Sequence, residues 1–356
     1  MRVLLITRKW PPAVGGMETY SREMAHALGE LAEVNTVALP GRRDGRPPKW
    51  QRLPGFFVRA AVVIARRGRR YDAVLLGDPL LGPLALVAAI AAPNARVVVA
   101  THGTDVTLDR NAGVTARVYR LYLRLLARMA GLFDAVIANS RATAAHARRI
   151  GLSRIAVIPL GVRAVTHEQP VTSPEPYVLF VGRFETRKGA GWFARAVVPH
   201  LPHGMRFVAV GPAWDPAETR AIDAQPRAER RPPAFGANLA ALRRHATVVV
   251  VPNVPAANRG FEGFGLTALE GAADGGIVLA SDMDGIPDAV ADGGIGFVLP
   301  SGDAGAWAAK IEEVAGWSAE TRQRWLQGSI ERIRERFTWE RVAKDTLAVM
   351  RDGAGI

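Results

Sequence analysis

Two doubly wound α/β domains are the fold class this chain predicts. Two observations carry it: short apolar runs alternate with helical stretches, and the alternation stops at a polar, proline-rich break and then restarts. At 356 residues the chain is also long for one ordinary core and suits two. Apolar residues at 49 % and charged residues at 22 % read as globular.

In chain order, the first set of candidate strands is Val3–Ile6, Val34–Leu39, Ala73–Leu76, Val97–Thr101, Ala135–Ala138 and Ala156–Pro159. After the break at Thr166–Pro176 come Tyr177–Val181, Met205–Val210, Thr247–Val251 and Gly276–Ala280. Apolar runs that do not alternate belong to parallel sheets covered on both faces. In such sheets ligands sit beyond the carboxyl ends of the strands. The domain boundaries read as 1–168 and 174–337, followed by a closing helix near 338–356. Pro40–Pro54 and Asp215–Pro233, rich in Arg and Pro, read as mobile loops.

Composition narrows the chemistry. With no cysteine, disulfides and thiolate metal sites are excluded. Met1–Ile6 runs into Thr7-Arg8-Lys9 without the architecture of a signal peptide, and the apolar stretch Val74–Ala92 is interrupted by Asp78, Pro79 and Pro83. Both point to a cytoplasmic chain. The net charge is +13, and it is unevenly placed. Residues 1–170 hold 25 Lys and Arg against 11 Asp and Glu, while residues 171–356 hold 21 against 22. The excess therefore lies in the first half, as if that half faced something anionic. No stacking aromatics interleave its arginine clusters and no nucleic-acid motif is present, which argues against a nucleic-acid partner.

Four strings carry chemistry. Gly15-Gly16 follows the first strand and opens a helical pattern; it is either a glycine turn or a place for an anion at a helix start. His102-Gly-Thr-Asp105 follows the fourth strand, where a histidine is either hydrogen-bonded in its loop or turned to a ligand. Gly182-Arg183 and Lys188-Gly189 place two cations just past a strand, suited to a departing diphosphate or simply solvated. Most specific is Phe261-Glu262-Gly263-Phe264-Gly265-Leu266-Thr-Ala-Leu-Glu270. Its glycines put Glu262 in a loop and Glu270 inside a helix. The two are either surface decoration or, embedded as they are in Gly-Phe-Gly, one acid that can reach a sugar and another that accepts ribose hydroxyl protons.

Together these strings resemble family 4 of the retaining GT-B glycosyltransferases along nearly the whole chain. The matching stretches come in the family's order. They are Gly15-Gly16, His102–Asp105, Asn139-Ser140-Arg141, Ile158–Val162, Val181–Arg183 with Lys188-Gly189, Glu262–Gly265 with Glu270, and Ser281–Pro287. Phe337–Glu340 looks like the family's final, returning helix. The resemblance implies two Rossmann-like domains facing across a cleft and transfer of a hexosyl group, with retention, from a nucleotide diphosphate sugar to a glycan, lipid-linked or small acceptor. It implies a donor site of Gly15, Gly16, Gly182, Arg183, Lys188, Glu262, Gly263, Phe264, Gly265, Leu266 and Glu270. Within it Arg183 and Lys188 clamp the diphosphate, Glu262 touches the sugar and Glu270 the ribose. His102 stands at the reaction centre, with Asp105 and Asn139 on the acceptor side. No cofactor and no metal are called for, although Asp282-Met-Asp284 imitates the metal-binding pair of another glycosyltransferase fold. A nucleotide-sugar 2-epimerase and a non-catalytic sugar-binding relative share the architecture and are the alternatives.

The lengthened loop Pro252–Gly260 leaves the donor sugar open, and the irregular segment before Gly236 leaves uridine and guanosine open. Arg117, Arg120, Arg124 and Arg128 recur at helical spacing beside Leu121, Leu125 and Met129, and Phe56-Phe57 lies among further arginines. That pattern is either a solvated face or a surface for anionic lipid, peripheral on the inner face of the plasma membrane.

Overall fold

The computed structural model describes residues 1–107, 113–163, 175–256, 260–290 and 294–353. The chain separates into two compact units, Met1–Gly161 with Trp339–Ile356, and Val162–Thr338. Val162 belongs to the second because its amide donates to Phe337 O at 2.8 Å and it bridges to Thr338. Most of the polar break, residues 166–174, lies outside the described residues.

In the first unit the strands are β1 (Arg2–Trp10), β2 (Glu33–Pro40), β3 (Ala73–Leu76), β4 (Arg96–Thr101), β5 (Ala135–Ala138) and β6 (Ile155–Val157). Between them run α1 (Gly16–Gly29), α2 (Leu53–Arg67), α3 (Leu84–Ala91), α4 (Thr104–Thr107), α5 (Val114–Arg128) and α6 (Arg141–Arg149). The strands pair in parallel in the order β2-β1-β3-β4-β5-β6. Leu5 faces Thr36 on one side and Leu75 on the other. The inner strands β3 and β5 are wholly buried, which is why they are short unbroken apolar runs.

The second unit repeats the plan with β7 (Tyr177–Val181), β8 (Arg206–Val210), β9 (Ala228–Arg231), β10 (Val248–Val251), β11 (Val278–Ser281) and β12 (Gly296–Leu299). Its helices are α7 (Ala190–Ala196), α8 (Pro216–Asp223), α9 (Gly236–His245), α10 (Leu266–Ala273), α11 (Ile286–Val290), α12 (Ala304–Ala315) and α13 (Ala319–Arg336). The order is β12-β11-β10-β7-β8-β9, again parallel. A core of Phe180, Phe184, Phe193, Phe207 and Trp307 fills one face. The last helix, α14 (Trp339–Asp352), packs in the first unit, where Trp339 meets Tyr20 of α1.

In both sheets the chain reverses its direction of growth once, at β1/β3 and at β7/β10. Crevices at such reversals, beyond the strands' carboxyl ends, are where open α/β sheets bind ligands.

One expectation needs correction. Asp215–Pro233 is not a mobile loop. Asp215 caps α8 by accepting from the Ala217 amide at 2.8 Å, and β9 pairs with β8 as an edge strand. Its sequence, Ala-Glu-Arg-Arg, is polar because only one side of an edge strand is paired. In Pro40–Pro54, an Arg42–Asp44 ion pair and a 3₁₀ turn at Trp50–Arg52 lead directly into α2. Phe56 belongs to the core of the first unit, and Phe57 is half-buried against that core.

Candidate active site

In the second unit the candidate residues collect at the ends of β7 and β10. β7 runs into Gly182, whose amide donates to Val210 O, and then into Arg183. The Arg183 guanidinium lies over the Trp214 ring, 4.4 Å from its centroid, with Nε 3.1 Å from Glu185 Oε1. A cation on an indole face keeps its remaining N–H groups directed outward, and the side chain stays 41 % exposed. A 3₁₀ turn, Thr186–Lys188, follows and ends on Gly189 in the left-handed conformation (φ 75°). A Cβ there would lie 1.8 Å from Pro252 O, so only glycine lets this turn sit against the end of β10.

The turn places two cations on one carboxylate. Arg187 Nη1 is 3.1 Å from Glu262 Oε2, and Lys188 Nζ contacts the same oxygen. Burial alone pushes the Glu262 carboxyl up, but the Lys188 and Arg187 charges outweigh it and hold the group at about 2. Glu262 itself is fixed through its backbone. Its amide donates to Asp284 Oδ2 at 2.9 Å, and its carbonyl accepts from Gly285 N at 3.0 Å. Asp284 adopts a left-handed conformation (φ 55°) to do this. Asp282 Oδ1 accepts from Ser301 N at 2.8 Å. Both members of the Asp282-Met-Asp284 pair thus hold loop backbone.

After Glu262 the buried Gly263 and Phe264 lead to Gly265, left-handed at φ 85°, which opens α10. Its Leu266 amide is one of the four that an α-helix leaves without an intrahelical partner. Glu262 therefore lies in the loop and Glu270 on the helix. Glu270 does not join the Glu262 cluster. Its Oε2 accepts from Arg243 Nη2 at 2.8 Å, and 39 % of its side chain is exposed. Along the ends of β8 and β9, an open pocket of about 680 Å³ is lined by Arg231, Pro232, Pro233, Phe235, Asn238 and Leu242, among others.

The first unit gathers the other candidates beyond β1, β3 and β4. His102 follows β4, and its amide donates to both carboxylate oxygens of Asp105 at 2.9 Å. Its Nε2 is 2.9 Å from Gly77 O. A carbonyl only accepts, so Nε2 is the donor to it. The Tyr20 ring meets the imidazole edge-on at 4.6 Å. Asp105 and Asn139 are both buried and turned to the His102 backbone, Asn139 Nδ2 reaching His102 O at 3.5 Å. Burial pushes the Asp105 carboxyl up. Gly16 opens α1 behind the N-cap Gly15, which brings no side chain to the helix start, and the Glu18 carboxylate, paired with Lys9 at 3.5 Å, lies against Gly15. Asp78, at the end of β3, is fully buried and accepts from Arg8 Nε at 3.0 Å.

Sequence reasoning missed Arg187, Arg243 and Trp214. Arg187 had a signal, its place beside Lys188 and Gly189. Arg243 and Trp214 had none, because their partners lie on other elements.

Residues 14–164 match the domain described as Glycosyltransferase Family 4, and residues 175–316 the one described as Glycosyl transferases group 1. The chain belongs to this glycosyltransferase family. Among curated proteins it is 30 % identical over 243 residues to a D-inositol 3-phosphate glycosyltransferase of Xylanimonas cellulosilytica, covering 61 % of this chain and 56 % of that protein. A Mycobacterium bovis protein of the same description is 32 % identical over 191 residues, covering 51 % of this chain and 38 % of that one. The match thus spans about half the length of these relatives or less. Among solved structures, sucrose-phosphate synthase from Thermosynechococcus elongatus superposes with a TM-score of 0.77 at 22 % identity, covering 98 % of both chains. Anabaena HepE in complex with UDP and glucose gives 0.69 at 17 %, covering 98 % of this chain and 99 % of that one. These likenesses establish the GT-B fold.

Proposed function

We propose that this family member is a retaining hexosyltransferase, moving a sugar from a nucleotide diphosphate sugar to a glycan, lipid-linked or small acceptor. The observation that carries the reading is the convergence of Lys188 and Arg187 on Glu262, with Arg183 nearby in sequence, at the switch point of the second sheet. A departing diphosphate gains negative charge as the glycosidic bond breaks, and prearranged cations lower that barrier. Arg183 and Lys188 take this role, so the reaction runs without a divalent ion. Glu262, held ionised, accepts hydroxyls of the donor sugar, and the Gly263–Leu266 backbone holds sugar and phosphate. Glu270 accepts ribose hydroxyls, and the pocket beyond β8 and β9 takes the base.

From the first unit, the helix start at Gly15 and Gly16 serves a phosphate, and His102 serves the reacting centre. Asp105 and Asn139 act on the acceptor side by holding the His102 loop. Retention follows front-face attack, the departing phosphate oxygen taking the acceptor's proton. Anabaena HepE, seen with UDP-glucose, supports a nucleotide sugar as the donor class.

We also read the first unit as resting on anionic lipid. On α5, Val114, Val118, Leu121 and Leu125 form an exposed apolar stripe flanked by the exposed Arg117, Arg124 and Arg128. Among the described residues no helix is long and apolar enough to cross a membrane. The attachment we propose through this face is peripheral, on the inner face of the plasma membrane.

A thermal-shift screen of uridine and guanosine diphosphate sugars tests the donor reading. One base series is expected to raise the melting temperature with concentration, since a ligand that binds only the native state stabilises it. No shift with either series would overturn the reading.

A further inference from the structure

Among the described ion pairs, Arg243 is the one arginine whose guanidinium is both deeply buried and shared between a carboxylate of a helix and that of the helix's C-cap residue. It projects from α9, 6 % exposed, and spans to α10 and its end. Nη2 donates to Glu270 Oε2 and Nη1 to Asp274 Oδ2, each at 2.8 Å. The two acids keep 39 % and 30 % of their side chains exposed. Only Oε2 of Glu270 is engaged, and no described residue bonds its Oε1.

Burying a guanidinium is costly unless both of its ends are paired, and an apolar side chain at this position would fill the space between two helices at less cost. What the arginine adds is direction. A planar fork bonded to carboxylates one helical turn apart fixes the Glu270 rotamer, which an exposed glutamate would otherwise sample freely.

We propose that Arg243 is a positioning residue for nucleotide recognition: it locks Glu270 through Oε2 so that Oε1 stands ready to accept the two ribose hydroxyls of the donor nucleotide. This inference rests on the reading of Glu270 as the ribose acceptor. Asp274 is the second anchor, keeping the guanidinium in register with α10. The consequence is selectivity for ribose over deoxyribose, set by a residue that touches neither the sugar nor the phosphates.

The test compares Arg243→Met with wild type by calorimetry, using UDP and GDP and the 2′,3′-dideoxy form of whichever binds. Because Glu270 and Asp274 stay partly solvated, Arg243→Met strands no buried charge. Wild type is expected to prefer the ribo form by about tenfold or more, the worth of a hydrogen bond to an ionised group. In Arg243→Met that preference collapses while affinity for the dideoxy form and kcat at saturating donor hold. Arg243→Lys cannot bridge both acids, so it is expected to show the same collapse and serves if the methionine variant does not fold. Equal weakening of both forms would make Arg243 merely structural and overturn the proposal, as would an undiminished preference. If wild type binds the nucleotide without preferring ribose, the role of Glu270 falls and the proposal with it. Binding of neither diphosphate by wild type would instead sink the donor reading on which both stand.

Discussion

One oxygen of Glu262 carries Lys188 and Arg187, and the charge on that carboxylate is therefore tied to the fold as well as to the chemistry. The folded group is held at about 2, below its ordinary value of 4.5. A carboxyl depressed in the folded state stabilises it above the unfolded value, and that contribution is lost as pH falls through the folded one. Denaturation followed from neutral pH downward should thus show wild type more stable than Glu262→Gln, the gap closing between about pH 4.5 and 2. A constant gap over that window would separate Glu262 from its cations. In the proposed reading the two glutamates also divide the donor. Glu270→Gln should weaken a free nucleoside diphosphate by about 1.5–3 kcal/mol, the worth of hydrogen bonds to a charged group. Glu262→Gln should leave that affinity unchanged and lower turnover. Calorimetry with the diphosphate decides it, and unchanged affinity in Glu270→Gln would contradict the ribose role. Arg183, Lys188, Glu262 and Glu270 were legible in the sequence because each sits at a fixed step from a strand end or a glycine. The Arg187–Glu262 and Arg243–Glu270 pairs join positions 75 and 27 residues apart, and no local pattern announces them.

Interior strands announce themselves, and edge strands do not. β3, β5 and β10 are fully buried runs of four apolar residues, the only composition that suits both faces of a covered parallel sheet. β9 is half-exposed and polar, and β12 is four residues opening on a glycine, so neither rose above its surroundings. Helix α5 was legible as a basic stripe, but which apolar residues it exposes depended on packing. Leu123 and Leu126 face the core while Leu121 and Leu125 face outward. Changing Arg117, Arg120 and Arg124 together to Gln should reduce sedimentation with anionic vesicles at low salt, each arginine near the surface being worth about 1 kcal/mol. Donor hydrolysis should be unchanged. Equal recovery with neutral and anionic vesicles at low salt would leave α5 a solvated face.

At the scale of the molecule, the restart of the strand pattern after the polar break anticipated two doubly wound units, and the order of short strings anticipated the family. The donor base, the sugar and the acceptor stayed out of reach, since they depend on loop shapes that composition does not specify. The central claim concerns charge: cations of the second unit, unaided by a divalent ion, stabilise a departing nucleoside diphosphate. The direct measurement is release of that diphosphate from uridine and guanosine diphosphate sugars in excess chelator, for wild type, Arg183→Ala and Lys188→Ala. Wild type should release it from one base series, and each variant, folded as judged by its melting curve, should lose about 2–4 kcal/mol of transition-state stabilisation. Release by both variants at near wild-type rates, or release by wild type only when a divalent ion is restored, would contradict the account.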